Sequence, residues 1–209
     1  MTSASEQPRL ILGSASPRRA ELMRQLDLTY TRIVSPEEEP VPDGHRPEEF
    51  VLLSAGAKAR AVDRLVRERN EQPAIVIGAD TVVCLEDRIL GKPTDAPDAA
   101  AMLRDLSGRD HQVYTGLALI LPDGGELRNY AATLVRMCPL SAADIAWYVA
   151  SGEPLDKAGA YGIQGLGGRF IERIEGCYYN VVGLPLVTLS RLLREAGYRF
   201  HHSQPEGGR

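Results

Sequence analysis

Two stretches of this chain carry residue types that do chemistry. The first is Ala74-Ile75-Val76-Ile77-Gly78-Ala79, a continuous apolar run that meets Asp80-Thr81 before Val82 resumes the apolar pattern. Such a run reads as a strand buried on both faces. A carboxylate inside it costs several kcal/mol unless it is paired or bound to a metal, which makes Asp80 the leading candidate for catalysis or metal ligation. The second stretch is Leu10-Ile11-Leu12-Gly13-Ser14-Ala15-Ser16-Pro17-Arg18-Arg19. Arg18 and Arg19 fall in the first turn of a helix, where the macrodipole is already positive and normally attracts acids. An anion docked on the Ser14 to Ser16 amides, with both guanidiniums closing over it, accounts for the placement. Arginines turned outward, or paired with acids elsewhere, account for it too.

The elements around these residues follow from local signals. Leu10 to Leu12 reads as a strand; Ser16 is a good N-cap, Pro17 suits the first helical position, and Leu22, Met23 and Leu26 give that helix its buried face. Thr31 to Val34 is a second strand, followed from Ser35 to Pro47 by a proline-punctuated loop holding Glu37, Glu38 and Glu39. Three adjacent carboxylates are either a solvated face or a metal-holding segment. The helix from Pro47 to Arg69 is rich in Ala55, Gly56, Ala57, Ala59 and Ala61, small enough to let another backbone approach. Lys58 rides inside that patch, facing either solvent or a crowded phosphate site.

Further along, Gly91-Lys92-Pro93 follows a short returning strand and lacks the glycine spacing and the Ser or Thr of a P-loop. A helix runs to Leu106, and Val113–Leu121 with Glu126–Met137 forms a hairpin across Pro122-Asp123-Gly124-Gly125. Ser141 and Asp144 cap another helix, which Gly152 ends. The segment from Glu153 to Gly165 has neither helical nor strand periodicity, and its glycines suit a ligand loop. Phe170 to Ile174 reads as a strand and Pro185 to Ala196 as a last amphipathic helix. The tail from His201 is expected to be disordered.

Composition narrows the class. The chain has 209 residues, 44% hydrophobic and 25% charged, enough for one large domain or two closely joined lobes. A net charge of −4 argues against nucleic-acid binding through a broad basic surface and leaves a few focused cations for a small phosphate ligand. Cys84, Cys138 and Cys177 lack zinc or redox spacing and read as reduced thiols. The first residues lack a signal-peptide core, and no apolar run approaches the roughly 20 residues of a membrane span, so a cytoplasmic protein is expected.

Taken together, SASPRR after a strand, IGADTVV, GKP, and DKAGAYGIQG followed by YYNVVGLPL resemble the Maf-like nucleoside triphosphate pyrophosphatases in order and approximate spacing, from Leu10 to about Leu193. The resemblance implies a mixed α/β fold, a long bent sheet with helices in two lobes around a central cleft, similar to the inosine triphosphate pyrophosphatases. It implies one such domain over residues 1–200. It also implies hydrolysis between the α and β phosphates of a nucleoside triphosphate, with a divalent cation, Mg2+ or Mn2+, and it allows a homodimer. By motif, Asp80 matches the proton acceptor, Ser14, Arg18 and Arg19 the phosphate-binding turn, and Lys58 and Lys92 the remaining cations. Glu39 is taken as the acidic partner that shares the metal with Asp80, with Glu38 as the fallback. Arg18, Thr81 and Gln164 match positions linked to the choice of base, and YGIQG after DKAGA points to dTTP and UTP. Tyr114-Thr115-Gly116-Leu117-Ala118 fits that branch and the 7-methyl-GTP branch equally. The alternatives are therefore a 7-methyl-GTP pyrophosphatase and a non-catalytic septum-formation regulator that binds nucleotide.

Overall fold

Side-chain caps open three of the helices in the computed structural model, which describes residues 7–37 and 44–200. Strand β1 (Arg9–Leu12) leads into α1 (Pro17–Gln25), whose N-cap Ser16 accepts from the Arg19 amide. Strand β2 (Tyr30–Arg32) is shorter than the apolar pattern suggests, since Val34 faces solvent instead of continuing the strand. Then come α2 (Pro47–Glu68), β3 (Ala74–Leu85), β4 (Arg88–Leu90) and α3 (Ala96–Leu106), the last capped by Asp95. The hairpin is β5 (Asp110–Ile120) and β6 (Glu126–Met137), and the Ser141–Asp144 capping box opens α4 (Ala142–Ala150). Three short 3-10 turns between Glu153 and Phe170 replace the irregular loop. Strand β7 (Ile171–Glu175), a short helix α5 (Tyr178–Val182) that no periodicity announces, and α6 (Leu186–Glu195) complete the described chain. The expected disordered tail lies outside the described residues.

One seven-stranded mixed sheet runs in the order β2-β1-β3-β5-β6-β7, with β4 pairing β3. β1 is parallel to β2 and β3; the other pairs are antiparallel. Alternation along β3 divides its side chains between two faces. Val76 faces α2 with Ile11, Ala55, Ala59 and Val62, whereas Ile75, Ile77 and Ala79 face α1 and α6 with Leu22, Met23, Leu189 and Leu193. The far end of β3, at Val83 and Leu85, enters another core with Leu103 and Leu106 of α3 and Tyr148 of α4. β3 therefore crosses from one packed region to another.

The small residues of α2 do what their size allows. A Cβ placed on Gly78 would lie 2.2 Å from the Ala55 carbonyl oxygen, and one on Gly116 would lie 2.4 Å from that of Val51. Only backbone without a side chain fits between helix and sheet at these points. Gly116→Ala should therefore lift α2 at a cost of about 1–3 kcal/mol, lowering Tm by roughly 3–10 °C. Gly91→Ala, whose Cβ would meet nothing within 4 Å, is the control that thermal unfolding should find neutral.

His111 of β5 is buried, with Nε2 2.7 Å from the Tyr161 hydroxyl. Burial pushes its pKa from 6.5 down to about 4, against the opposing pull of the Arg109 carbonyl and the Asp110 charge. The unfolded chain then binds this proton at higher pH than the folded one, so stability is lost as pH falls below the ordinary value. The loss reaches ~3 kcal/mol near pH 4. Urea unfolding of wild type and His111→Gln at pH 7 and pH 4.5 should show a smaller acid loss in the variant.

Candidate active site

The cleft opens where the sheet is incomplete. β1 pairs with β3 only as far as Leu12 opposite Ile77, and β4 takes up the same strand only from Val83 opposite Leu90. Between them, Gly78 to Val82 have β5 on one edge and, among the described residues, no strand on the other. A forked sheet of this kind leaves a crevice in which a ligand can reach strand residues directly. A cavity of about 620 Å³ fills the fork, bounded by the Ser14 to Arg19 turn, Asp80, Thr81, Lys58, Lys92, Gln164 and Gly183.

Asp80 points to the α2 face. Its Oδ1 lies 2.5 Å from Lys58 Nζ, and both side chains are about one-tenth exposed. The register explains the meeting, because Asp80 stands opposite Gly116, whose missing side chain lets α2 settle low enough for Lys58 to reach it. The buried carboxylate is thus paired, as its cost of burial requires.

Arg19 works on the other face. The Gly13 amide donates to the Ile77 carbonyl as the last β1 contact, and two residues on Arg19 Nη1 donates to the Ala79 carbonyl at 2.9 Å. The guanidinium takes the place of the strand that stops. It also donates through Nη1 to Ser14 Oγ (3.2 Å), through Nη2 to Thr81 Oγ1 (2.9 Å) and through Nε to the Gly183 carbonyl (2.8 Å). Where the sequence suggested two guanidiniums closing over an anion, the structure turns one of them largely onto the protein. Arg18 is placed differently, 3.3 Å from Asp156 across the cleft.

The remaining candidates line the same cavity. Gln164 is half-buried and Lys92 exposed at its rim. The Gly91 carbonyl, next to Lys92, accepts from the Gly159 amide at 2.9 Å, joining the GKP and DKAGA segments. Glu37 lines the mouth, whereas Glu38 and Glu39 lie outside the described residues.

Several residues that sequence reading passed over hold this arrangement. Arg32 donates through Nε to the Ser14 carbonyl at 2.8 Å and also to that of Ala15, bracing the turn from β2. Glu153 accepts from the Leu166 and Gly167 amides and the Tyr148 hydroxyl, which ties down the loop carrying Gln164. Its burial alone would raise the carboxyl pKa, but these donors outweigh it and hold it below the ordinary value. Thr115 and Asn180, both fully buried, stand behind Thr81. An Arg in a strand and an acid after a helix carry no distinctive pattern; only the polar residues inside the apolar β5 run gave a signal.

Comparison with known proteins agrees with the motifs. A family model described as Maf-like protein matches residues 9–196. A dTTP/UTP pyrophosphatase of Pelotomaculum thermopropionicum is 46% identical, the match covering 90% of this chain and 97% of the relative. One of Shewanella oneidensis is 49% identical over 90% of this chain and 98% of the relative. A solved nucleoside-triphosphatase / dITP/XTP pyrophosphatase from Mycobacterium abscessus is a distant likeness, 18% identical at a TM-score of 0.42 over 90% of this chain and 97% of that one. The family model spans nearly all the described strands and helices, the relatives approach half identity over nine-tenths of the sequence, and the chain belongs to the Maf-like protein family.

Proposed function

We propose that this chain hydrolyses the bond between the α and β phosphates of dTTP and UTP, releasing a nucleoside monophosphate and pyrophosphate. The observation that carries the reading is the Lys58–Asp80 pair at the unpaired edge of β3, in a cleft walled by Arg18 and Lys92. The printed names of the relatives support the substrate class. A triphosphate brings about four negative charges, and a cleft whose cations are already positioned stabilises the charge that builds as pyrophosphate leaves. Arriving phosphate oxygens compete for Lys58. As that ammonium turns to them, Asp80 is released to take the proton of the attacking water.

A divalent cation, Mg2+ or Mn2+, belongs to the same proposal. Among the described residues no group of three His, Cys, Asp or Glu side chains could hold a metal. A carboxylate such as Asp80 beside a phosphate site fits a Mg2+-type ion, which is bound through one or two carboxylates and substrate phosphates. Asp80 would hold it, with Glu39 as the second carboxylate. Once bound, such an ion offsets charge on the departing pyrophosphate. No helix among the described residues is long and apolar enough to cross a membrane, and the three cysteines are unpaired thiols, in keeping with a cytoplasmic setting.

Asp80→Asn keeps the shape and an acceptor for Lys58 while removing the base. Pyrophosphate release with Mg2+ or Mn2+ should fall by about a hundredfold or more, with unfolding followed in parallel; turnover near wild type would refute the role. Gln164 offers an amide that donates and accepts toward the carbonyl and N–H edge shared by thymine and uracil. Gln164→Glu should lower kcat/KM for dTTP and UTP by about tenfold or more relative to other bases. A panel in which 7-methyl-GTP or a purine triphosphate is the best wild-type substrate would overturn the base assignment.

A further inference from the structure

We propose that Thr115 is a positioning residue for base selection: it fixes the proton of the Thr81 hydroxyl, so that Thr81 meets the substrate only as a hydrogen-bond acceptor. This rests on the pyrimidine reading above and assigns a role to a residue behind the cleft. Protons can be counted along a chain of oxygens. Asn180 contributes its backbone carbonyl, which can only accept, and Thr115 Oγ1 lies 3.0 Å from it, so the single Thr115 proton is directed there. The Thr81 and Thr115 hydroxyl oxygens are 2.9 Å apart, and that contact needs a proton which Thr115 no longer has. Thr81 must supply it. On its other side Thr81 Oγ1 accepts from Arg19 Nη2 at 2.9 Å, and a guanidinium never accepts. The direction of every bond is thereby set, from Arg19 through Thr81 and Thr115 to Asn180.

The far end of the chain is held as firmly. Asn180 Nδ2 donates to the Val113 carbonyl and to Thr133 Oγ1, both at 2.9 Å. Thr133 Oγ1 in turn donates to the Cys177 carbonyl and accepts from the Cys177 amide. The Asn180 carbonyl therefore cannot swing away from Thr115 without dismantling α5. Near Thr81, Gly183 leaves room at a left-handed φ of 114°, and a Cβ there would sit 3.3 Å from Thr81 Oγ1.

What remains to Thr81 on the cleft side is one lone pair, since no other described residue hydrogen-bonds its hydroxyl. A lone pair suits the imide N–H of uracil and thymine and opposes the bare ring nitrogen that cytosine presents at the same place. Without the Thr115 hydroxyl, the Thr81 proton is free to turn toward the cleft, and the distinction weakens.

The test measures kcat/KM for UTP and CTP with the full-length wild type, Thr115→Val and Thr115→Ser. Thr115→Val should reduce the UTP/CTP ratio about tenfold, chiefly by improving CTP, while Thr115→Ser, which keeps the proton path, should restore it. A general structural defect would lower both substrates and leave the ratio alone. An unchanged ratio in a folded Thr115→Val, with a wild type that prefers UTP, overturns the proposal. A wild type with no preference for UTP instead overturns the pyrimidine reading on which it rests. A second measurement needs no variant: fluorine makes the N3–H of 5-fluoro-UTP more acidic than that of UTP. With an acceptor-only Thr81, kcat/KM for 5-fluoro-UTP should fall at a pH where UTP is still turned over. Superimposable pH profiles would overturn the proposal even if Thr115→Val failed to fold.

Discussion

A buried strand cannot leave its backbone groups without partners, and the cleft lies where, among the described residues, one edge of β3 has no neighbouring strand from Gly78 to Val82. The gap opens β3 to a ligand. It also creates a debt in hydrogen bonds, which Arg19 meets at the Ala79 carbonyl. Once the guanidinium is fixed there, the same nitrogen reaches Ser14 and the other two draw in Thr81 and Gly183, so that turn, strand and the end of α5 are held at one point. The charge which looks misplaced at a helix N-terminus is balanced by carbonyl and hydroxyl oxygens.

The two faces of β3 divide the work. On one, Asp80 and Lys58 form a nearly buried ion pair, possible only because Gly78 and Gly116 bring α2 against the sheet. On the other, neutral hydroxyls and carbonyls form a directed network through Thr81, Thr115 and Asn180. Adjacent residues in sequence thus meet different environments, Asp80 an ion pair and Thr81 a guanidinium that leads into neutral hydroxyls and carbonyls. Strand alternation alone places Asp80 and Thr81 on different sides of the same backbone.

Much of this was legible in the sequence. Asp80 stood out because a carboxylate in a continuous apolar run demands a partner, and the small residues of α2 announced close approach to another backbone. Capping residues gave the starts of α1 and α4. What stayed hidden depends on the meeting of distant segments. Asp156 belongs to the site through Arg18, Glu153 through the amides of Leu166 and Gly167, and Arg32 through the carbonyls of the Ser14 turn. None of these has a local pattern. α5 was hidden for another reason, since five residues are too few to show helical periodicity and its place is set by Asn180. Arg19 was legible as unusual, but its bond to the Ala79 carbonyl depends on the gap in the sheet, which no local pattern shows.

The span of the chain that closes this fork has a consequence for how the protein is made. Gly13 and Ser14 emerge from the ribosome early, whereas the Gly183 carbonyl and the Asn180 carbonyl belong to the last part of the described chain. β1 pairs with β3 only after the intervening α1 and α2 have been synthesised, and such distant pairings are slow to form. A nascent chain that ends before α5 has Asp80 and Lys58 but lacks one of the four acceptors of Arg19, the Gly183 carbonyl, and the end of the hydroxyl network. The fork is therefore fully closed only after the α5 region has joined the sheet.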